Sequence, residues 1–247
     1  QEKALDLYIK THAKDLPPGV KIEIVKRDDT GPNPEVAKRV AQELVTRDHV
    51  QLLWGVIYSP NAVAVAPVAT AAKIPFIITN AAGSAITRAS PYAVRDSFTI
   101  WQMAYPLGKW AAQHGYKKAY TAVTDYIPGH HGEAGFVKGF TEGGGQIVGS
   151  VRIPLAAQEV APYVQRIKDA KPDLVFNFVP GGTRSTAFMK AWKTLGLDQA
   201  GITIVAPQDL VIEDELPNMG DAPLGIVTAG NYSTAATRPQ SLAYLAA

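Results

Sequence analysis

The sequence predicts an α/β protein made of two doubly wound lobes, and three observations carry that prediction. Short apolar runs of strand character are repeatedly followed by segments whose apolar residues recur at three- and four-residue spacing. The connections from one strand to the next are helix-length, as parallel strands require and hairpins do not. The strand–helix pattern also falls into two series, one ending near Ile78 and one beginning near Lys117, with a stretch of different character between them.

The elements follow in order. The chain opens at Gln1 inside a helical pattern whose apolar side is Ala4, Leu5, Leu7, Tyr8 and Ile9. Residues 20–25 (Val-Lys-Ile-Glu-Ile-Val) alternate at period 2 and predict a strand; residues 34–47 predict a helix with Val36, Val40 and Leu44 in one stripe and Ala37 and Ala41 beside it. The unit recurs as a strand at 51–56, a helix at 61–72 and a strand at 75–78. Residues 90–98 read as a crossing between lobes, leading into an amphipathic helix at 101–114. The second series runs strand 120–124, helix 132–140, strand 146–153, helix 160–168, strand 174–179, helix 183–195 and strand 202–206. After Ala206 the pattern weakens. Residues 225–232 form one more strand ending in Gly and small polar residues, a second crossing, and a helix begins at 239–247. The domain reading is an amino-terminal lobe at 1–98, a carboxyl-terminal lobe at 99–228, and a return crossing at 229–247. Both ends sit in helical patterns without a cap or stop signal, with no initiator Met and no leader-like segment, which predicts a longer natural chain.

Composition excludes several classes. Of 247 residues, 47% are hydrophobic and 19% charged, which is enough apolar content for a core and too little charge for a disordered chain. No apolar run approaches the ~18 residues of a membrane span. The net charge of +2 comes without a basic stripe, since the local cluster Lys26, Arg27, Asp28, Asp29 is balanced; nothing replaces the counterions of a nucleic acid. The absence of cysteine removes disulfides, thiolate zinc sites and thiol nucleophiles, and suits a reducing cytoplasm and a bacterial periplasm alike.

Four strand ends carry candidate chemistry. After the strand at 51–56 come Tyr58, Ser59, Pro60 and Asn61, with Ser59 or Asn61 placed as a helix N-cap; the hydroxyl and the helix N-terminus together form an anion site, and the plainer reading is a cap alone. The strand at 75–78 ends in Thr79, Asn80, Ala81, Ala82, Gly83 and Ser84, small residues whose backbone N–H groups face the same anion, or simply a tight loop requiring Gly83. Residues 124–133 hold Tyr126, His130 and His131. Adjacent histidines point apart, the His-x-Glu at 131–133 lacks the downstream cysteine pair of a zinc deaminase, and no His-Glu-x-x-His occurs, so this stretch reads as a strand-to-helix loop that lines a cleft, and no metal or other cofactor is expected. The fourth end, Val179-Pro180-Gly181-Gly182-Thr183-Arg184, is glycine-rich but lacks the lysine of a phosphate loop and the spacing of a dinucleotide fingerprint. No Gly-x-Ser-x-Gly elbow or catalytic triad accompanies Ser59, so the chain reads as a non-enzyme.

Taken in order, Val25-Lys-Arg-Asp-Asp29 ahead of the helix at 34–47, Gly55-Val-Ile-Tyr-Ser59 with Ala66-Pro67, Lys73-Ile-Pro-Phe-Ile77, and Gly132-Glu133 with Gly139-Phe140 resemble the type I periplasmic binding proteins. The likeness is to the leucine/isoleucine/valine-binding group of ABC transporter solute receptors, with its aromatic-acid-binding branch, and extends over essentially the whole chain.

The resemblance implies two Rossmann-like lobes, a hinge, and a ligand cleft that closes on its occupant in Venus-flytrap fashion. It also implies a periplasmic, monomeric receptor that hands its ligand to an ABC permease and does not insert in the membrane. It places the ligand carboxylate on Ser59, Ala81 and Gly83 or Ser84, with Ala82 in the same loop, and puts His131 at the ring- or amide-bearing position ahead of the second-lobe helix. The next strand end falls at Pro180 or Gly181, where the family's tyrosine is missing. The acid that holds the ammonium of an amino-acid ligand is replaced by Gln208 in Ala206-Pro207-Gln208-Asp209. An unpaired ammonium in a closed cleft costs several kcal/mol, on the order expected for a buried unpaired charge. Either Asp209 substitutes or the ligand has no amine. The second reading points to a carboxylate on a ring, such as a hydroxybenzoate or phenylpropanoid, with Tyr58, Tyr126, His131 and Gln208 shaping the rest of the site; Phe178, inside a strand, is expected in the core. The alternatives are a branched-chain amino-acid or amide receptor with Asp209 supplying the charge, a hydrolase or transferase on a doubly wound fold, and a cytoplasmic ligand-sensing regulator.

Overall fold

The structure, a computed structural model, describes residues 2–246, which divide into two compact units: Gln1–Phe98 with Tyr232–Ala247, and Thr99–Asn231.

Unit 1 contains α1 (Glu2–Thr11), α2 (Pro34–Thr46), β1 (Leu53–Gly55), α3 (Ser59–Ala72), β2 (Phe76–Ile78) and β3 (Ala93–Arg95). The three strands form one parallel sheet in the order β1-β2-β3. Alternation assigns its two faces: Leu53, Phe76, Ile78 and Ala93 are buried with Val65 and Ala69 of α3 and Ala41 of α2, whereas Trp54 and Val94, in register across the other face, are exposed. Helix α2 starts where Asn33 caps it by accepting from the Val36 N–H at 3.2 Å and Pro34 fixes the first φ.

Residues 20–25, expected as a strand, join no ladder. Their period-2 pattern is real, but Val20, Ile22 and Ile24 are exposed, and no described strand of the sheet pairs with them. A strand exists only as a partner in a ladder, so alternation without a neighbour leaves extended chain.

Unit 2 contains α4 (Ile100–Gln113), β4 (Lys118–Asp125), α5 (Ile127–Glu142), β5 (Gln146–Pro154), α6 (Ala161–Ala170), β6 (Leu174–Phe178), α7 (Thr183–Thr194), β7 (Thr203–Pro207), the short α8 (Leu216–Met219) and β8 (Val227–Ala229). Back in unit 1, α9 (Pro239–Ala246) closes the described chain; the last residue of the helix expected at 239–247 lies outside the described residues. The unit 2 sheet is parallel throughout in the order β5-β4-β6-β7-β8. Strand β6 is buried along its whole length, the near-continuous apolar run expected of a strand covered on both faces. Its core sets Val175, Ile204 and Ala206 against Phe188, Met189 and Trp192 of α7.

Helix α5 begins five residues earlier than its apolar pattern predicts. Pro128 sits in the first turn with Tyr126 as the extended N-cap, so His130 and His131 lie on the helix and not in a loop. Helices α4 and α5 meet through glycine: a Cβ at Gly108 would run into the Phe136 carbonyl and the Phe140 amide, and one at Gly139 into the Tyr105 carbonyl and the Lys109 amide. Glycine is required here by close backbone approach.

Candidate functional site

Each unit gathers its candidate residues at the carboxyl ends of its strands. In unit 1, β1 ends in a strained turn. Gly55 and then Val56 both take positive φ, 124° and 69°, and for the β-branched Val56 this is a sparsely populated conformation that neighbours must hold in place. Those neighbours are the loop after β2: Thr79 N–H donates to the Gly55 carbonyl at 3.1 Å and Ala81 N–H to the Val56 carbonyl at 3.2 Å.

The N-cap of α3 is Tyr58, which is half-buried, with φ −91° and ψ 132°; Ser59 is the first helical residue and caps nothing. Its fully buried Oγ instead accepts the Gly83 N–H at 3.0 Å, tying the start of α3 to the loop. Asn61 is likewise no cap. Its Nδ2 donates to Asp29 Oδ2 and to the Gly31 carbonyl, both at 2.7 Å, and so anchors the segment ahead of α2.

The N–H groups of Ala81 and Gly83, expected to face an anion, are therefore engaged inside the unit. Ala82 is buried between them and Ser84 is exposed at the end of the loop. The Ser59 hydroxyl hydrogen remains a donor, since a serine can accept and donate at once.

Sequence reasoning missed Arg95, at the end of β3 opposite Ile78. Its Nη2 donates to the carbonyls of Ala81 at 3.0 Å and Gly83 at 2.5 Å. Burial lowers its proton affinity, and among the described residues no carboxylate pairs with it. The signal was available. Arg95 shares the parity of Ala93, so alternation turns it to the buried face of the sheet, where a lone arginine is rare.

In unit 2 the strand order reverses at β4: β5 lies on one side and β6 on the other, which makes the ends of β4 and β6 the topological switch point where open α/β sheets bind ligands. Tyr126 follows β4 and stacks on Phe178 at the end of β6, with ring centroids 6.0 Å apart and planes 12° apart. Phe178 is buried, as expected, and Tyr126 half-buried. His131, half-buried on the first turns of α5, is held below the ordinary imidazole range by burial and then by the neighbouring His130, which favours the neutral ring. His130 instead faces Asp125 at 2.6 Å. No cluster of three metal-ligating side chains occurs among the described residues.

Pro180 is buried after β6. The adjacent Gly181 lies so near the turn after β7 that an added Cβ would stand 3.1 Å from the Asp209 carbonyl. At that turn Gln208 Nε2 donates to Asn231 Oδ1 at 2.8 Å, and Gly230 leaves room for the Gln208 side chain.

Asp209 is half-buried as a residue, but its Oδ2 is sealed from solvent without a hydrogen-bond partner, and burial pushes its carboxyl up to about 6 against a modest lowering by its own backbone N–H. A carboxyl raised in the folded state contributes stability below its unfolded value of 3.8 and loses it as pH rises through about 6. Asp209→Asn is accordingly expected to be more stable than the parent at pH 7.5 by roughly 1–3 kcal/mol and no more stable near pH 4, as read by urea unfolding at the two pH values. An equal difference at both would show that Asp209 is not buried as a charge.

Three comparisons place this architecture among known proteins. The family model described as periplasmic binding protein matches residues 1–247. A solute-binding protein of an ABC transporter from R. palustris, solved in complex with 4-hydroxybenzoate, is 41% identical with a TM-score of 0.96 over 99% of this chain and 66% of that one. One from Rhodopseudomonas palustris BisB5, solved with 3,4-dihydroxybenzoic acid, is 45% identical with a TM-score of 0.93 over 99% and 67%. The Leu/Ile/Val-binding protein homolog 6 of Brucella melitensis is 39% identical over 237 residues; the match takes in 96% of this chain and 60% of that protein, so the chain spans about three fifths of its curated relative. With a family match over its whole length and the expected parallel α/β units, the chain belongs to the periplasmic binding proteins of type I, the leucine/isoleucine/valine-binding group.

Proposed function

We propose that this protein is the extracytoplasmic substrate-binding receptor of an ABC transporter, a non-enzyme that captures a small aromatic carboxylate of the hydroxybenzoate type by lobe closure. It then delivers that ligand as a monomer to the membrane permease. The observation that carries the reading is Gln208. At the position where the resemblance calls for an acid to hold an ammonium, an amide stands, committed to Asn231. A ligand without an amine needs no charge there, and in unit 1 Ser59 and Arg95 provide for an acid. The stacked Tyr126–Phe178 pair offers a flat apolar flank to a ring, and neutral His131 a polar edge. The solved relatives that hold 4-hydroxybenzoate and 3,4-dihydroxybenzoic acid support the same ligand class. No helix among the described residues is long and apolar enough to cross a membrane.

One observation favours a second reading, a branched-chain amino acid: Asp209 Oδ2 has no partner and could receive an ammonium. A thermal-shift panel separates the two. A ligand at 100 times its Kd adds about 2.7 kcal/mol to the stability of the state it binds, a rise of roughly 5–10 °C for a protein of this size. The expected result is that 4-hydroxybenzoate, 3,4-dihydroxybenzoate and benzoate raise Tm while leucine and valine do not. Stabilisation by leucine or valine alone overturns the aromatic reading and gives the ammonium to Asp209.

A further inference from the structure

The loop after β2 sets a problem for any acid ligand. Two of its N–H groups are spent inside unit 1, Ala81 on the Val56 carbonyl and Gly83 on Ser59 Oγ, so the ligand's charge must be met by something other than those two amides. A formal positive charge does touch the loop, that of Arg95. Its Nη2 bridges the carbonyls of Ala81 and Gly83, its Nε is buried without a partner, and no carboxylate of the described residues offsets it.

The peptide groups concerned are trans, as are all those described. In a trans peptide the C=O and the N–H of the following residue point in opposite directions. A guanidinium that draws in the Ala81 carbonyl therefore turns the N–H group of Ala82 away from itself and polarises it as a donor.

We propose that Arg95 is the positioning residue and counter-charge of the acid-binding loop: by fastening the Ala81 and Gly83 carbonyls it fixes the loop and aims the Ala82 amide, and it supplies the positive potential that a bound carboxylate requires. This rests on the carboxylate reading above but not on the ligand being aromatic. It also explains why β3, only three residues long, ends in an inward-facing arginine.

The test compares an acid with its uncharged amide, 4-hydroxybenzoate with 4-hydroxybenzamide, by calorimetric titration of the intact mature protein and of two variants. Arg95→Gln keeps a donor and loses the charge; Arg95→Lys keeps both charge and donors. The expected result is that Arg95→Gln weakens the acid by about tenfold or more and the amide by less than about threefold, with Arg95→Lys returning the acid to within about threefold of the parent. Equal losses for acid and amide in Arg95→Gln, or an unchanged acid affinity, would falsify the proposal, because an arginine that only folds the loop does not tell the two ligands apart.

Should Arg95→Gln fail to melt cooperatively, the side-chain 15N resonances of Arg95 in the parent, assigned by their loss in Arg95→Lys, decide instead: a shift on adding the acid and not the amide supports the proposal, and no shift with the acid overturns it. If the protein binds leucine and no benzoate, the acid-to-amide ratio is read on leucine and leucinamide. The aromatic reading then fails without deciding the role of Arg95, which that ratio decides separately.

Discussion

Phe136→Ala is expected to cost unit 2 about 3–5 kcal/mol of folding stability, enough to consume a large part of the margin of an ordinary domain. Phe136 is fully buried on α5. It stacks on Phe176 of β6 at 4.6 Å between centroids and on Phe140 one turn later at 5.4 Å, so one ring joins the helix to the sheet. Truncation removes the transfer energy of the ring and leaves a cavity that the surroundings cannot fill. On its other side α5 lies against α4 through Gly108 and Gly139, where backbone already meets backbone. Phe136→Leu, which keeps much of the volume, should cost less than half as much. Urea unfolding followed by tryptophan fluorescence checks both, and a loss under about 1 kcal/mol for the alanine variant would mean that the two helices can close over the cavity.

The second large effect is expected from Ser59→Ala. The Ser59 hydroxyl accepts the buried Gly83 N–H and keeps one hydrogen to give. Its removal orphans that amide, costing unit 1 about 1–3 kcal/mol, and on the function proposed above takes one donor from the ligand carboxylate. The two losses fall on the same loop, so every acid ligand should weaken together, by about ten- to a hundredfold, while the order of preference among acids is kept because the ring is read elsewhere. Titration with benzoate, 4-hydroxybenzoate and leucine measures this. A Ser59→Ala variant that binds all of them as the parent does would remove Ser59 from the site.

Much of this architecture was written in periodicity. Strand and helix alternate where the apolar residues do, from α2 through β2 and again from α4 through β7, because each element buries one face or stripe and the spacing records it; β3, inside the stretch expected only as a crossing at 90–98, is too short for its period to show and joins the unit 1 sheet beside β2. The failures have physical causes. Residues 20–25 carry a strand's alternation, yet the ladder depends on a neighbour, which alternation cannot report. Helix α5 starts ahead of its apolar stripe because its first turn holds Pro128 and Gly129, which read as loop residues, and the buried Gly129 contributes backbone surface that a pattern of side chains does not show.

At the candidate site the sequence located the strand ends but not their wiring. Ser59 read as a cap because serine before a helix usually is one, whereas its partner lies in the loop after the next strand, 24 residues away. Ala81 and Gly83 read as open donors because a hydrogen bond to the strained turn at Val56 leaves no trace in residue identity. Arg95 went unremarked although its parity placed it inward.

The uniformly parallel sheets carry a kinetic consequence. Among the described residues no strand is joined to its partner by a hairpin, so no ladder of these sheets forms locally and zips outward; each of these pairs must first close a long crossover. Strand β4 shows it most plainly: its second neighbour is β6, and between them in the chain lie α5, β5 and α6. The centre of that sheet is therefore completed only after most of the unit has been synthesised and collapsed. Refolding from denaturant should be correspondingly slow for a chain of this length, with the entropy of closing those crossovers, more than the strength of any one contact, setting the rate.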